Sequence, residues 1–138
     1  MPETPPATCH TVVMIDSPQY RDQIIAALGI VTRDIGLTFE EGPNYTLRFE
    51  ERTPIPVPGY EHTMAVFNGD VIYLQAHKFT KRYATHLALH ELGHWMRMEH
   101  NKHRFSLMNT GAWPQRAAFT KRDITEAKRL TSYCREGN

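Results

Sequence analysis

The run His90-Glu91-Leu92-Gly93-His94-Trp95-Met96-Arg97-Met98-Glu99-His100 constrains this chain more than any other feature. Residues four apart on an α-helix share a face, so a helical segment here presents His90 and His94 to a common point. Glu91, beside the first histidine, directs a carboxylate at the same region. Two histidines in this spacing suit one metal ion, and the glutamate suits a base acting on water at that ion. His100 then sets a condition on the fold. On an unbroken helix it would stand about 9 Å further along the axis and turned by about 600° from His94. It joins the other two only if the chain leaves the helix between them and doubles back.

The run resembles H-E-x-x-H-x-x-G-x-x-H, the signature of the metzincin clan of metallopeptidases. Arg97 stands where the clan has glycine. Glycine there supplies the left-handed residue that ends the helix, and arginine in that conformation costs roughly 1 kcal/mol. Ser106-Leu107-Met108-Asn109 resembles the clan's methionine turn, in which Met108 would form an apolar floor under the metal without ligating it. Phe119 to Leu130 resembles the C-terminal helix. Leu37 to Phe39 and Tyr45 to Glu51 resemble the second and third strands of matrixin-like members. The likeness is specific over residues 71 to 131 and rests on element order before that.

The resemblance implies an α+β, metzincin-like (zincin) fold. Its parts would be a mixed twisted sheet of about five strands, an active-site helix, a Met-turn and a C-terminal helix. It also implies a zinc metalloendopeptidase, with Zn2+ held by His90, His94 and His100 and with Glu91 as catalytic base. The edge strand near His62 to Phe67, represented by Met64, Ala65 and Val66, would bind an extended peptide by strand addition. Thr110 stands where some members carry a helper tyrosine, so none is expected. Residues 111 to 118 would shape the pocket beyond the scissile bond.

Other residues compete for these roles. His86 shares the face of His90, but three histidines at i, i+4 and i+8 span about 12 Å, too far for one ion. It reads as a core or supporting histidine. His103 is a rival to His100 that fits the spacing less well. Trp95 reads as core. Glu126 is the third ligand in a second type of H-E-x-x-H peptidase, such as the regulatory ImmA/IrrE type, but reads better as a solvated helix face. A non-catalytic zinc-binding interaction module is the third reading. Imidazole ligands suit zinc, although nickel, cobalt or copper fit similar sites.

A chain of 138 residues supports one domain with one core, so residues 1–138 read as a single catalytic domain with a loose tail over 1–10. A formal charge of +1 creates no field for nucleic acid or membrane, and Lys121-Arg122 reads as solvated helix surface. The expected partner is a peptide or protein substrate, acted on by a monomer. No apolar run spans a bilayer. Met1 to Thr8 lacks a signal-peptide core, so the chain reads as cytoplasmic as written, or as secreted if a signal and pro-segment precede it. Cys9 and Cys134 form no C-x-x-C, which excludes a cysteine-rich zinc site. Cys134 reads as a buried thiol on the last helix, with a bridge to Cys9 as the alternative in an oxidising compartment.

The elements follow from local pattern. Thr11 to Ile15 is a β-branched strand. Ser17-Pro18 starts a helix whose apolar face is Ile24, Leu28, Val31 and Ile35, with Gly36 as its stop. Leu37 to Glu40 and Tyr45 to Glu51 are strands, and Thr53 to Gly59, with three prolines, is a loop. Asn68-Gly69-Asp70 turns a hairpin between His62–Phe67 and Val71–Gln75. Thr80 caps the active-site helix. Thr120 to Asp123 is a capping box opening the last helix, whose stripe is Ile124, Ala127, Leu130 and Cys134.

Overall fold

The computed structural model describes residues 7–76, 80–110 and 116–135. Its first strand, β1 (His10–Asp16), turns Val13 and Ile15 to the core and leaves Met14 on the opposite face. Helix α1 (Arg21–Ile35) buries Ile24, Leu28, Val31 and Ile35 at the spacing the sequence predicts. Burying such a side chain is worth roughly 1.5–3 kcal/mol. The helix begins at Arg21, not at Ser17. The Ser17 hydroxyl instead donates to Glu51 Oε1 at 2.6 Å and accepts from the Tyr20 N–H at 3.3 Å, so it joins the turn before α1 to a strand.

Strands β2 (Thr38–Glu41), β3 (Leu47–Arg52), β4 (Ala65–Asn68) and β5 (Val71–Gln75) complete a five-stranded sheet in the order β2-β1-β3-β5-β4. All neighbours run parallel except the antiparallel β4–β5 pair. Tyr45 falls outside β3 and is exposed. β4 starts three residues later than the expected strand at His62, so Met64 precedes it. The Met64 carbonyl still accepts the Gln75 N–H at 2.7 Å. In the hairpin, Asn68 faces Val71 across two residues, with φ of 73° at Gly69 and no positive φ at Asp70. Positive φ at the first central position only is a type II′ turn, which suits glycine there.

Ile72 and Leu74 face the main core, so the alternating Val71 and Tyr73 face the other side of the sheet. Ile55 and Val57, from the proline-rich segment, cover them there. Helix α2 (Lys81–Trp95) packs against α1, β4 and β5. The Thr80 side chain accepts the Tyr83 N–H, as the cap expected for this helix. Helix α3 (Lys121–Leu130) opens with the expected Thr120–Asp123 capping box.

Cys134 lies past the end of α3, in a 3-10 turn over Ser132–Cys134, and is not an inert thiol. It forms a disulfide with Cys9 across a separation of 125 residues. Closing a loop of that length stabilises by about 5 kcal/mol in the chain-entropy account. The expected loose tail therefore ends early. Residues 1–6 lie outside the described residues, but Ala7 is buried with its carbonyl bonded to the Tyr133 hydroxyl, Cys9 is bridged and His10 opens β1. No described helix is long and apolar enough to cross a membrane.

Candidate metal centre

α2 carries His90 and His94 on one face, and their rings meet edge to face at 4.9 Å. Each ring is held by a backbone carbonyl: His90 Nδ1 by Leu107 at 2.9 Å and His94 Nδ1 by Met98 at 3.0 Å. A carbonyl only accepts, so each Nδ1 carries the proton and each Nε2 presents a lone pair. Burial pushes the His90 pKa down to about 4, partly offset by the Leu107 bond. Burial also lowers that of His94. Both rings are therefore neutral at ordinary pH, the state a metal requires.

The helix stops where the third histidine needs it to. Arg97 has φ of 76°, the one positive value at a non-glycine residue among those described. The Arg97 N–H bonds the His94 carbonyl at 2.9 Å, and the Met98 N–H bonds that of Gly93 at 2.8 Å. This pair of bonds is the Schellman ending of a helix, built on an arginine where glycine is usual. The chain then turns back. His100 Nε2 comes to 3.3 Å from His90 Nε2 and 2.9 Å from His94 Nε2.

A proton on His100 can serve only one of these two lone pairs, so three nitrogens converge without enough hydrogens to join them. The spacing suits a cation. Ligands about 2.0–2.1 Å from a tetrahedral zinc stand roughly 3.3 Å apart. Among the described residues this is the one group of three histidine, cysteine or acidic side chains placed to hold an ion. The rivals lie elsewhere. Glu126 pairs with Arg129, His103 Nε2 accepts from Arg122 at 3.1 Å, and Trp95 packs on Phe39 in the core. His86 is nearly buried, with its Nδ1 on the Arg116 carbonyl and its ring stacked on Tyr83.

Beneath the histidines lies the turn Ser106–Asn109, closed by the Asn109 N–H on the Ser106 carbonyl at 3.2 Å. Met108 is fully buried there. A Cβ on Gly93 would stand 2.6 Å from its sulfur, so the glycine lets Met108 press against the α2 backbone. Asp123 anchors the turn. Its carboxylate accepts from Ser106 Oγ at 2.5 Å, the Leu107 N–H at 2.9 Å and the Thr120 N–H at 3.0 Å. The same Leu107 peptide holds His90 through its carbonyl. Sequence reasoning found Asp123 as a helix cap but not as this anchor. The pattern T-x-x-D signals the cap alone, because the second job links residues 16 and 17 apart.

No protein-family model and no curated protein matches the sequence. Among solved structures, archaemetzincin from Methanopyrus kandleri superposes with a TM-score of 0.70 at 11% identity, over 92% of this chain and 98% of that one. The fold is a metzincin-like zincin fold. An agreement at this identity concerns the path of the backbone.

Within that fold, a cleft of about 750 Å³ runs between β4 and α2. Met64, Ala65, Val66 and Phe67 line one side, and His90, Glu91, His94 and His100 the other. Burial pushes the Glu91 carboxyl up to about 7, against the Phe67 N–H that donates to it. A carboxyl poised near neutrality can take up a proton and release it in one cycle. Thr110 reaches the cleft, while residues 111–115 of the expected pocket loop lie outside the described residues.

Proposed function

We propose that this chain is a zinc metalloendopeptidase of matrixin-like design. The observation that carries the reading is the convergence of the His90, His94 and His100 Nε2 atoms beside Glu91, on the floor of an open cleft. Three imidazoles, with Nδ1 of His90 and His94 engaged by carbonyls, fit zinc, and the open cleft would let water or substrate reach it. Zinc held there would lower the pKa of water and polarise a substrate carbonyl.

The rest is work for the chain. β4 is the edge strand of the sheet, so its free side can pair with an extended peptide and lay it across the histidines. Glu91 takes the proton of the attacking water and passes it to the leaving amine. The carbonyls of Leu107 and Met98 keep the His90 and His94 rings in one tautomer throughout.

Glu91→Gln tests this. The amide keeps the shape but accepts no proton, so peptide cleavage should fall on the order of a hundred- to ten-thousand-fold with zinc content unchanged. Wild-type cleavage by zinc-loaded Glu91→Gln would remove Glu91 from the mechanism.

A further inference from the structure

The proline-rich segment between β3 and β4 reads from sequence as a plain loop, but it reaches the cleft. From Thr53 it folds over the sheet face away from the helices. Ile55 is fully buried on Val71 and Tyr73, in an apolar cluster separate from the main core. The segment then returns to the front of the molecule, where Tyr60, Thr63 and Met64 line the cleft. Tyr60 is 48% exposed and Met64 44% exposed, although both are large and apolar.

Besides the Ile55 contact, one buried polar side chain ties the end of this strap to the sheet. Gln75, 2% exposed, donates from its amide nitrogen to the Glu61 carbonyl at 3.0 Å and the Thr63 carbonyl at 3.1 Å. Its own N–H bonds the Met64 carbonyl at 2.7 Å. The stretch from Glu61 to Met64 is thus pinned at three carbonyls by one residue that does not line the cleft.

The charge pattern of the cleft points to what the strap receives. Apart from Glu91 and the histidines, no described residue lining it is charged. Tyr60, Met64, Phe67, Tyr83 and Leu87 give it an apolar and aromatic character. Away from Glu91 and the histidine cluster, a charged side chain seated there would lose hydration with no opposite charge to replace it, whereas an apolar one gains roughly 25 cal/mol per Å² removed from water.

We infer that the strap over residues 53–64 is the specificity element of the site: it selects peptides whose residues near the scissile bond are uncharged and apolar or aromatic. Tyr60 and Met64 touch the substrate, and Gln75 is the positioning residue that keeps them over the cleft. This inference rests on the peptidase reading for the identity of the ligand, but not for the fact of binding.

The experiment uses the zinc-loaded full chain with fluorogenic peptides carrying apolar, acidic or basic residues around the cleavable bond. A parallel arm measures anisotropy of a fluorescein-labelled apolar peptide and an acidic one on zinc-loaded Glu91→Gln protein. Apolar peptides should be cleaved and bound at least about tenfold better than charged ones. Tyr60→Ser should weaken binding of the apolar peptide several-fold. Gln75→Met keeps the length of the side chain but loses both donors. It should raise KM about tenfold with kcat and zinc content retained, whereas a loss of folded protein would lower apparent kcat and spare KM. Equal use of charged and apolar peptides, or unchanged KM in both variants, overturns the inference and leaves the peptidase reading standing. Tyr60-dependent binding of the apolar peptide without cleavage by the wild type supports the strap and overturns the peptidase reading.

Discussion

Two stretches of chain supply the histidine cluster, and they are built in opposite ways. His90 and His94 ride on α2, where a four-residue spacing and a local cap place them. His100 rides on an irregular stretch that ends a helix on a left-handed arginine and returns above the Met108 turn. Nothing periodic holds that stretch. The Asn101 N–H bonds the Met108 carbonyl at 3.2 Å, Asn101 Nδ2 bonds Ser106 Oγ at 3.0 Å, and Ser106 in turn rests on Asp123. The helical histidines thus take their places from the helix, with the His90 ring also held by the Leu107 carbonyl, whereas the third depends throughout on a carboxylate from another element.

The sharpest way to break this comparison is to remove that carboxylate. Asp123→Ala takes the acceptor from the Leu107 and Thr120 N–H groups and from the Ser106 hydroxyl proton, and it deletes half of a capping box. The expected loss is about 3–5 kcal/mol in urea unfolding, with weaker zinc binding in the protein that remains folded. A loss under about 1 kcal/mol with unchanged zinc affinity would mean that the irregular stretch holds itself.

A smaller effect, of opposite sign, is expected at Arg97. Glycine takes φ of 76° without strain, so Arg97→Gly should keep the zinc and leave the protein equally stable or more stable by up to about 1 kcal/mol. Thermal and urea unfolding would show it. A clear destabilisation would mean that the Arg97 side chain contributes more than its backbone costs.

The same contrast explains what could be read before the structure was known. The five strands, the II′ hairpin, α2 with its Thr80 cap and the capping box of α3 are written in alternation, helical spacing and short turn signals, and each appears within a few residues of its expected place. The meeting of His100 with His90 and His94 was legible only through the resemblance, because no local rule makes a chain turn back on an arginine. The Ser17 hydroxyl does accept the Tyr20 N–H, but the regular helix starts only at Arg21, and the Ser17 proton goes to Glu51, 34 residues away. The Cys9–Cys134 bridge and the strap over Val71 and Tyr73 depend on contacts between distant segments, which composition and period do not encode. The need for glycine at 93 is likewise a distant contact, since a Cβ there would meet the buried Met108 sulfur.

On this reading, three imidazoles from these two unlike stretches hold one metal ion. A competition titration of zinc against a chelator of known affinity, on the wild type and on His100→Ala at neutral pH, tests it most directly. One tightly held zinc per wild-type chain is expected, with a loss of at least about a hundredfold in affinity when the His100 ring is removed. Wild-type stoichiometry and affinity in His100→Ala would contradict it.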